Sequence, residues 1–275
     1  MSFCIPSLTG CADAFLAAAL ARPNKIVLVV TPGLPDADRL FDDLSLVTAR
    51  EPTRVLEFPP LLDNDKSSLG LRLKAVAALR AWPERPYPAI VVATCHALAQ
   101  PIPASASPLR LSISHATNRQ SGGFSALASQ LAKFGYNRVS QVEQEGDFSV
   151  RGGIIDAWSP GDEFPTRAEF FGEDLESIRT FSPATQISIA PVECCEFLPA
   201  NLSDDSDASP PPSPSLLASS SLLPPESSIV LALEHNDYSI SALQPLNAPI
   251  IYAGDPAPRG IPGYAFQTTP LPGFA

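Results

Sequence analysis

Residues 134–188 read FGYNRVSQVEQEGDFSVRGGIIDAWSPGDEFPTRAEFFGEDLESIRTFSPATQIS. The stretch divides into short runs of β-type residues separated by turn formers such as Gln144-Glu145-Gly146-Asp147 and Ser159-Pro160-Gly161-Asp162. Runs of this length between Gly and Pro punctuation predict several short strands. Four arginines, Arg138, Arg151, Arg167 and Arg179, recur among them, in a chain with only 18 basic residues. Arginines set on strands can build a surface that grips carboxylates through the planar two-pronged guanidinium, which is one way to recognise a partner. Just upstream, 124–134 predicts a helix with Leu127, Leu131 and Phe134 as its apolar residues, and Gly135 follows as its C-cap. With a short strand at 109–114, residues 105 to about 199 read as one α+β unit.

The preceding hundred residues carry a different pattern. Lys25–Thr31 (KIVLVVT) and Ala89–Thr94 (AIVVAT) are continuous apolar runs rich in Val, the mark of strands buried on both faces. A further strand is expected at 54–58, ended by Pro59 and Pro60. Helices are expected at 11–21, 36–48 and 67–82, the second with Leu40, Leu44 and Val47 on one face. Alternation of this kind predicts an α/β unit with a parallel sheet covered on both sides.

Residues 201–227 (NLSDDSDASPPPSPSLLASSSLLPPES) break from both patterns. Ser, Pro and Asp dominate, and such a segment cannot bury enough apolar surface to offset the entropy of ordering it, so it reads as a linker. Buried-type strands resume at 228–234 (SIVLALE) and 249–253 (PIIYA), and both are expected to return to the first sheet.

Composition narrows the function classes. The formal charge is −11 and there is no run of Lys or Arg, so direct, stable binding to a phosphate backbone by this chain alone is disfavoured. The five cysteines, Cys4, Cys11, Cys95, Cys194 and Cys195, show no metal-ligand spacing and read as reduced thiols, mostly packing as small apolar residues. No apolar run approaches the roughly 18 residues that span a bilayer, and no signal-peptide pattern opens the chain, so no membrane contact and a cytoplasmic location are expected.

The stretch that opens this reading closely resembles the UvrA-binding domain shared by the excision-repair helicase UvrB and the transcription-repair coupling factors, the UvrB/Mfd family. The similarity runs through GYNRVSQVEQEGDFSVRGGIIDAW, PTRAEFFGEDLESIRTF and SPATQIS with few gaps. More loosely, Leu28–Pro32, Phe58-Pro59, Arg72-Leu73 and Val91–Thr94 resemble, in order, elements of the coupling factors' first domain. The resemblance implies a parallel-sheet RecA-like domain at 1–104, an inserted α+β UvrA-interaction domain at 105–199, a linker at 200–227 and a short return segment to the first sheet at 228–275. It also implies UvrA as the partner, with RNA polymerase and DNA engaged only through domains missing from this chain.

At Ser7–Ala14 (SLTGCADA) UvrB carries a phosphate-binding loop, which needs glycines to wrap the phosphates, a lysine for the β/γ oxygens and a hydroxyl for Mg²⁺. This chain keeps Gly10, but Ala12 stands in place of the second glycine, Asp13 of the lysine and Ala14 of the hydroxyl. An aspartate facing a triphosphate is repulsive, so this degenerate P-loop predicts no nucleotide cofactor, no metal and no catalytic residue. Glu234, in the late LALEHND segment, then reads as a solvated carboxylate. A coupling-factor-type module, not an enzyme, is expected.

The resemblance assigns UvrA contact to Arg151, Arg167 and Phe171, with Arg138 and Arg179 as further candidates. Internal roles fit some of these residues equally: Arg167 could pair with Asp156 or Glu169, Arg138 and Arg179 could be solvated strand edges, and Gly152 and Gly153 could serve the backbone. Two other readings stay open: a stand-alone UvrA-binding decoy, and a nucleotide hydrolase lacking a standard phosphate loop.

Overall fold

Continuous valine-rich runs and alternating runs give this chain two sheets of opposite character. The computed structural model describes residues 3–5, 11–50, 52–63, 65–100, 108–113, 123–201, 228–233 and 250–253. Gly10, Glu234, the linker beyond Asn201 and the tail after Ala253 lie outside the described residues.

The first unit gathers residues 1–60, 75–102 and 212–275. Its elements are β1 (Phe3–Ile5), α1 (Ala12–Leu20), β2 (Ile26–Thr31), α2 (Leu34–Val47), β3 (Arg54–Phe58), the second half of α3 (Lys66–Ala81), β4 (Ala89–Thr94) and α4 (Cys95–Ala99). Two late strands, β13 (Ser228–Leu233) and β14 (Ile250–Ala253), complete it. The strands form one sheet in the order β1-β14-β13-β2-β4-β3, with every pairing parallel.

Strand alternation assigns the two faces. Ile26, Leu28 and Val30 pack with Val91, Val230, Ala75, Val76, Leu79 and Trp82 on one side. Val27 and Val29 pack with Ile90, Val92 and Leu231 on the other, where α1 supplies Ala14 and Ala17 and α2 supplies Leu40 and Leu44. Each fully buried Leu or Ile contributes about 1.5–3 kcal/mol to this interior. The β1 strand was not anticipated from sequence. Its three residues pair in register with the last described strand, Phe3 opposite Ile251, a partnership about 250 positions away that no local pattern encodes.

The second unit gathers residues 61–74 and 103–211. Residues 61–74, which the sequence groups with the first domain, therefore cluster with the second. The physical reasons are specific. Lys74 Nζ lies 2.6 Å from Asp162 Oδ1 and donates to the Gly161 carbonyl at 2.5 Å. A Cβ on Gly70 would collide with the Pro160 carbonyl, so this helix position must be glycine. Leu69 and Leu73 pack on Leu198. Arg72 is fully buried, and burial lowers its pKa to about 10.

The remaining elements are β5 (Leu109–Ser112), α5 (Gly123–Lys133), β6 (Asn137–Arg138), β7 (Asp147–Arg151), β8 (Ile154–Ala157), β9 (Thr166–Phe171), β10 (Asp174–Phe181), β11 (Ser188–Pro191) and β12 (Cys194–Phe197). Six of them form a sheet ordered β11-β10-β9-β8-β7-β6, antiparallel except at β6–β7. A separate antiparallel pair joins β5 to β12. One face of the larger sheet, with Phe148, Ile155, Ala168, Phe170 and Ile178, packs on Leu127 and Leu131 of α5.

The helix stops where the sequence predicts. Gly135 has φ +80°, its N–H bonds the Ala132 carbonyl at 3.1 Å, and the Tyr136 N–H bonds the Leu131 carbonyl at 3.1 Å. This double closure needs a left-handed residue at Gly135, which glycine adopts without penalty. The adjacent cysteines point to opposite faces of their strand, as alternation requires. Cys195 is half-buried, and burial pushes its thiol pKa up, whereas Cys194 on the opposite side of the strand is exposed, as is Cys11.

Candidate functional site

The face of the six-stranded sheet opposite its apolar core is built of charge. Ser149, Asp156, Arg167 and Arg179 are successive register partners across β7, β8, β9 and β10. Two residues along, Arg151, Ile154, Glu169 and Ser177 form the next row. The alternation that turns Phe148, Ile155, Ala168 and Ile178 into the core turns these residues the other way.

Asp156 is the hub of this face, with a side chain 0% exposed. Its Oδ1 accepts from Arg167 Nε at 2.7 Å and its Oδ2 from Arg167 Nη2 at 2.9 Å, a two-pronged pairing. The same Oδ2 accepts from Arg151 Nη2 at 2.8 Å. Arg167 also donates from Nη1 to the Gln186 carbonyl at 3.3 Å and lies 4.6 Å from the centre of the Phe181 ring. Hydrogen bonding to Asp156 is the main cause that holds the Arg167 pKa above its ordinary value. Gln186 supplies that carbonyl from a left-handed backbone, φ +59°, uncommon for a residue with a side chain.

The arginines therefore divide by role. Arg167 is mostly enclosed, its side chain 15% exposed, and its internal partner is Asp156 rather than Glu169. Arg151 touches the same carboxylate but remains half exposed. Arg179 is half exposed, 3.8 Å from Glu169, whose carboxylate accepts from Ser177 Oγ at 2.6 Å. Arg138 does not join them. It sits on the two-residue edge strand β6, and its register partner is Phe148, a core residue, so it belongs to the other side of the sheet.

Two hairpin turns frame one end of the face. Arg151 leads into Gly152-Gly153, where Gly152 takes φ +58° and a Cβ on Gly153 would collide with the Phe170 carbonyl. Both glycines thus serve the backbone. Phe171 leads into Gly172-Glu173 and is 77% exposed, a large aromatic with its ring in solvent. Sequence alternation is enough to place Arg151, Arg167 and Phe171 on strands. The hub that gathers two of them is visible only as an acid in the IID segment.

Ala12, Asp13 and Ala14, which the sequence sets against a phosphate loop, open α1 in the first unit. Asp13 Oδ1 accepts the Ala14 N–H at 2.8 Å, and Oδ2 lies 2.6 Å from Arg39 Nη2. Arg39 also reaches Asp43 at 2.9 Å, and hydrogen bonding to Asp13 is the largest cause raising the Arg39 pKa. The chain's own carboxylate, held by an arginine, therefore occupies the first turn of the helix between Ala12 and Ala14. Among the described residues no group of His, Cys, Asp and Glu could hold a metal ion, and no helix is long and apolar enough to cross a membrane.

Comparison with known proteins agrees with this geometry. The UvrB interaction domain family matches residues 116–202, the segment that holds the charged sheet face. The transcription-repair-coupling factor of Mycobacterium bovis is 31% identical over 189 residues, covering 65% of this chain and 15% of that protein. Those of Bacillus subtilis, 30% identical over 205 residues, and Escherichia coli, 28% over 202, cover 71% and 70% of this chain and 17% of each relative. The chain spans about one sixth of the length of these curated relatives. It carries a UvrB interaction domain and, over about two thirds of its length, is similar to the transcription-repair-coupling factors as an N-terminal UvrB-like module.

Proposed function

We propose that the chain recruits UvrA, in the cytoplasm, in transcription-coupled nucleotide excision repair, and that it does so without catalysis of its own. The observation that carries this reading is the charged face of the UvrB interaction domain, where Phe171 is exposed at the end of its strand and Arg151 and Arg179 are half exposed on other strands of the same face. Aromatic anchors and guanidinium forks on one face are the usual make-up of an interface hot spot, and they select an acidic surface with an apolar pocket. The cluster of Arg151, Arg167 and Asp156 keeps a net positive charge within a chain of −11.

Arg151, Phe171 and Arg179 make direct contact in this proposal. Arg167 contributes chiefly as the partner that fixes Asp156, and secondly through the one N–H on each of its Nη atoms that finds no partner among the described residues. The first unit is a RecA-like sheet in which the Asp13–Arg39 pair takes the room and the charge that a nucleotide phosphate would need. RNA polymerase and DNA belong, in the same proposal, to parts of the relatives beyond the matched region.

Calorimetric titration of UvrA with this chain tests the reading. Micromolar or tighter binding is expected, weakened at least tenfold, about 1.4 kcal/mol, by Arg151→Ala and by Phe171→Ala. A folded wild-type chain that does not bind UvrA overturns it.

A further inference from the structure

Phe171 raises a physical problem: its ring is largely exposed, at 77%, yet an anchor residue binds well only if little freedom is lost on docking. The hairpin that carries it is tied down from the far side. The two residues after Phe171 form the turn between β9 and β10, with Gly172 at φ +63°. The next residue, Glu173, reaches the N-terminus of α5. Its Oε1 accepts from Ser125 Oγ at 2.8 Å, and its Oε2 accepts from the Ser125 backbone N–H at 3.2 Å. A carboxylate at this end of a helix meets unpaired N–H groups and the positive pole of the helix dipole.

The surroundings are shaped to receive that carboxylate. A Cβ on Gly123, the first helical residue, would collide with Glu173 Oε2, and Gly123 itself takes φ +73°. On the other flank of Phe171, the Phe170 ring meets Phe124 of the same helix turn edge-on, with centroids 5.6 Å apart and planes at 78°. The helix therefore grips the residue before Phe171 through an aromatic pair and the turn after it through a carboxylate cap. The hydrogen bonds to Ser125, side chain first, hold the Glu173 carboxyl below its ordinary value, so the cap is fully charged at neutral pH.

We infer that Glu173 is a positioning residue for partner recognition: by capping α5 it fixes the β9–β10 turn and so presents Phe171 to UvrA in one orientation. This rests on the proposal that Phe171 contacts UvrA. Glu173 itself need not touch the partner.

A double-mutant cycle tests the inference. UvrA would be titrated with the wild-type chain, Glu173→Ala, Phe171→Ala and the double variant, while amide exchange is followed at Ser125. Glu173→Ala should weaken binding about three- to tenfold by releasing the turn. The same change made in the Phe171→Ala background should have no effect, because the cap acts only through that ring. Faster exchange of the Ser125 amide should accompany it. Glu173→Gln, which keeps one acceptor oxygen, should restore part of the affinity. Ser125→Ala removes the hydroxyl donor without altering the hairpin and should weaken binding in the same direction, which keeps the test available if Glu173→Ala folds poorly. If Phe171→Ala weakens binding but Glu173→Ala is silent, or if its effect survives in the Phe171→Ala background, the positioning role is wrong and the contact surface stands. If Phe171→Ala leaves binding unchanged, both ideas fall.

Discussion

The two six-stranded sheets use their faces in opposite ways. The parallel sheet is apolar on both: Ile26, Leu28 and Val30 face one cluster, Val27 and Val29 the other, and helices cover each side. The antiparallel sheet buries one face on α5 and gives the other to Asp156, Arg151, Arg167, Arg179 and Phe171. A sheet clad on both sides has no strand face left to present to a partner. A sheet clad on one side can organise charge on the other, because each strand residue alternates between the two. The proposed function places recognition on the half-open sheet, while the closed sheet is interior on both faces.

Three substitutions probe that contrast. Val29→Asp places a carboxylate on a closed face lined by Ala14, Ala17, Leu40 and Leu44, which should cost more than about 4 kcal/mol. Hydrogen exchange at the β2 amides should show the first unit losing its protection. A stably folded Val29→Asp chain would mean that this face is not sealed. Asp156→Ala removes a carboxylate just as buried, but from the charged face, and leaves two guanidinium groups without their shared partner. A loss of about 3 kcal/mol in chemical denaturation is expected, at the low end for a buried pair because Arg151 is half exposed. Binding of UvrA should fall with it, even in samples that remain folded. Ser149→Ala sharpens the comparison from the other side. Its hydroxyl is buried in the row with Asp156 and finds no hydrogen-bond partner among the described residues. Its removal should change stability by less than about 0.5 kcal/mol, or raise it, by thermal melting. A larger loss would reveal that the polar row is more connected than the hydrogen bonds indicate.

Much of the fold was legible in local pattern. AIVVAT marks β4 at Ala89–Thr94, since the valine-rich apolar residues Ala89–Ala93, entered from Pro88, fit a strand covered on both faces. Gly135 marks the end of α5 because the closing turn requires a left-handed residue. Ends shift by a residue or so elsewhere, as with α2, expected from Asp36 and observed from Leu34, where Pro35 suits the first turn. The grouping of residues 61–74 with the second unit was not legible, because Lys74 and Asp162 are ordinary charged residues until 88 positions of chain bring them together.

The candidate site divides in the same manner. Period-two alternation within β9 sets Arg167, Glu169 and Phe171 on one side and Ala168 and Phe170 on the other, and this is written in PTRAEFF. Which residues of different strands share a row is a matter of register, and that set Arg138 opposite Phe148 and placed Asp156 between Ser149 and Arg167. The Glu173 cap on Ser125, separated by 48 residues, left no mark in either segment.

The sequence by itself determined most of the strands and helices (though not β1), the closed character of the first sheet, and the chemistry available to the second: arginines, an aromatic and an acid. Only the tertiary structure decided that Asp156 is shared by Arg151 and Arg167, that Arg138 faces away, and that helix α5 holds the Phe171 turn. The reason is physical. Hydrophobic periodicity is a property of neighbours along the chain, whereas register, ion pairing and capping between elements are set by which surfaces meet once the apolar faces are buried.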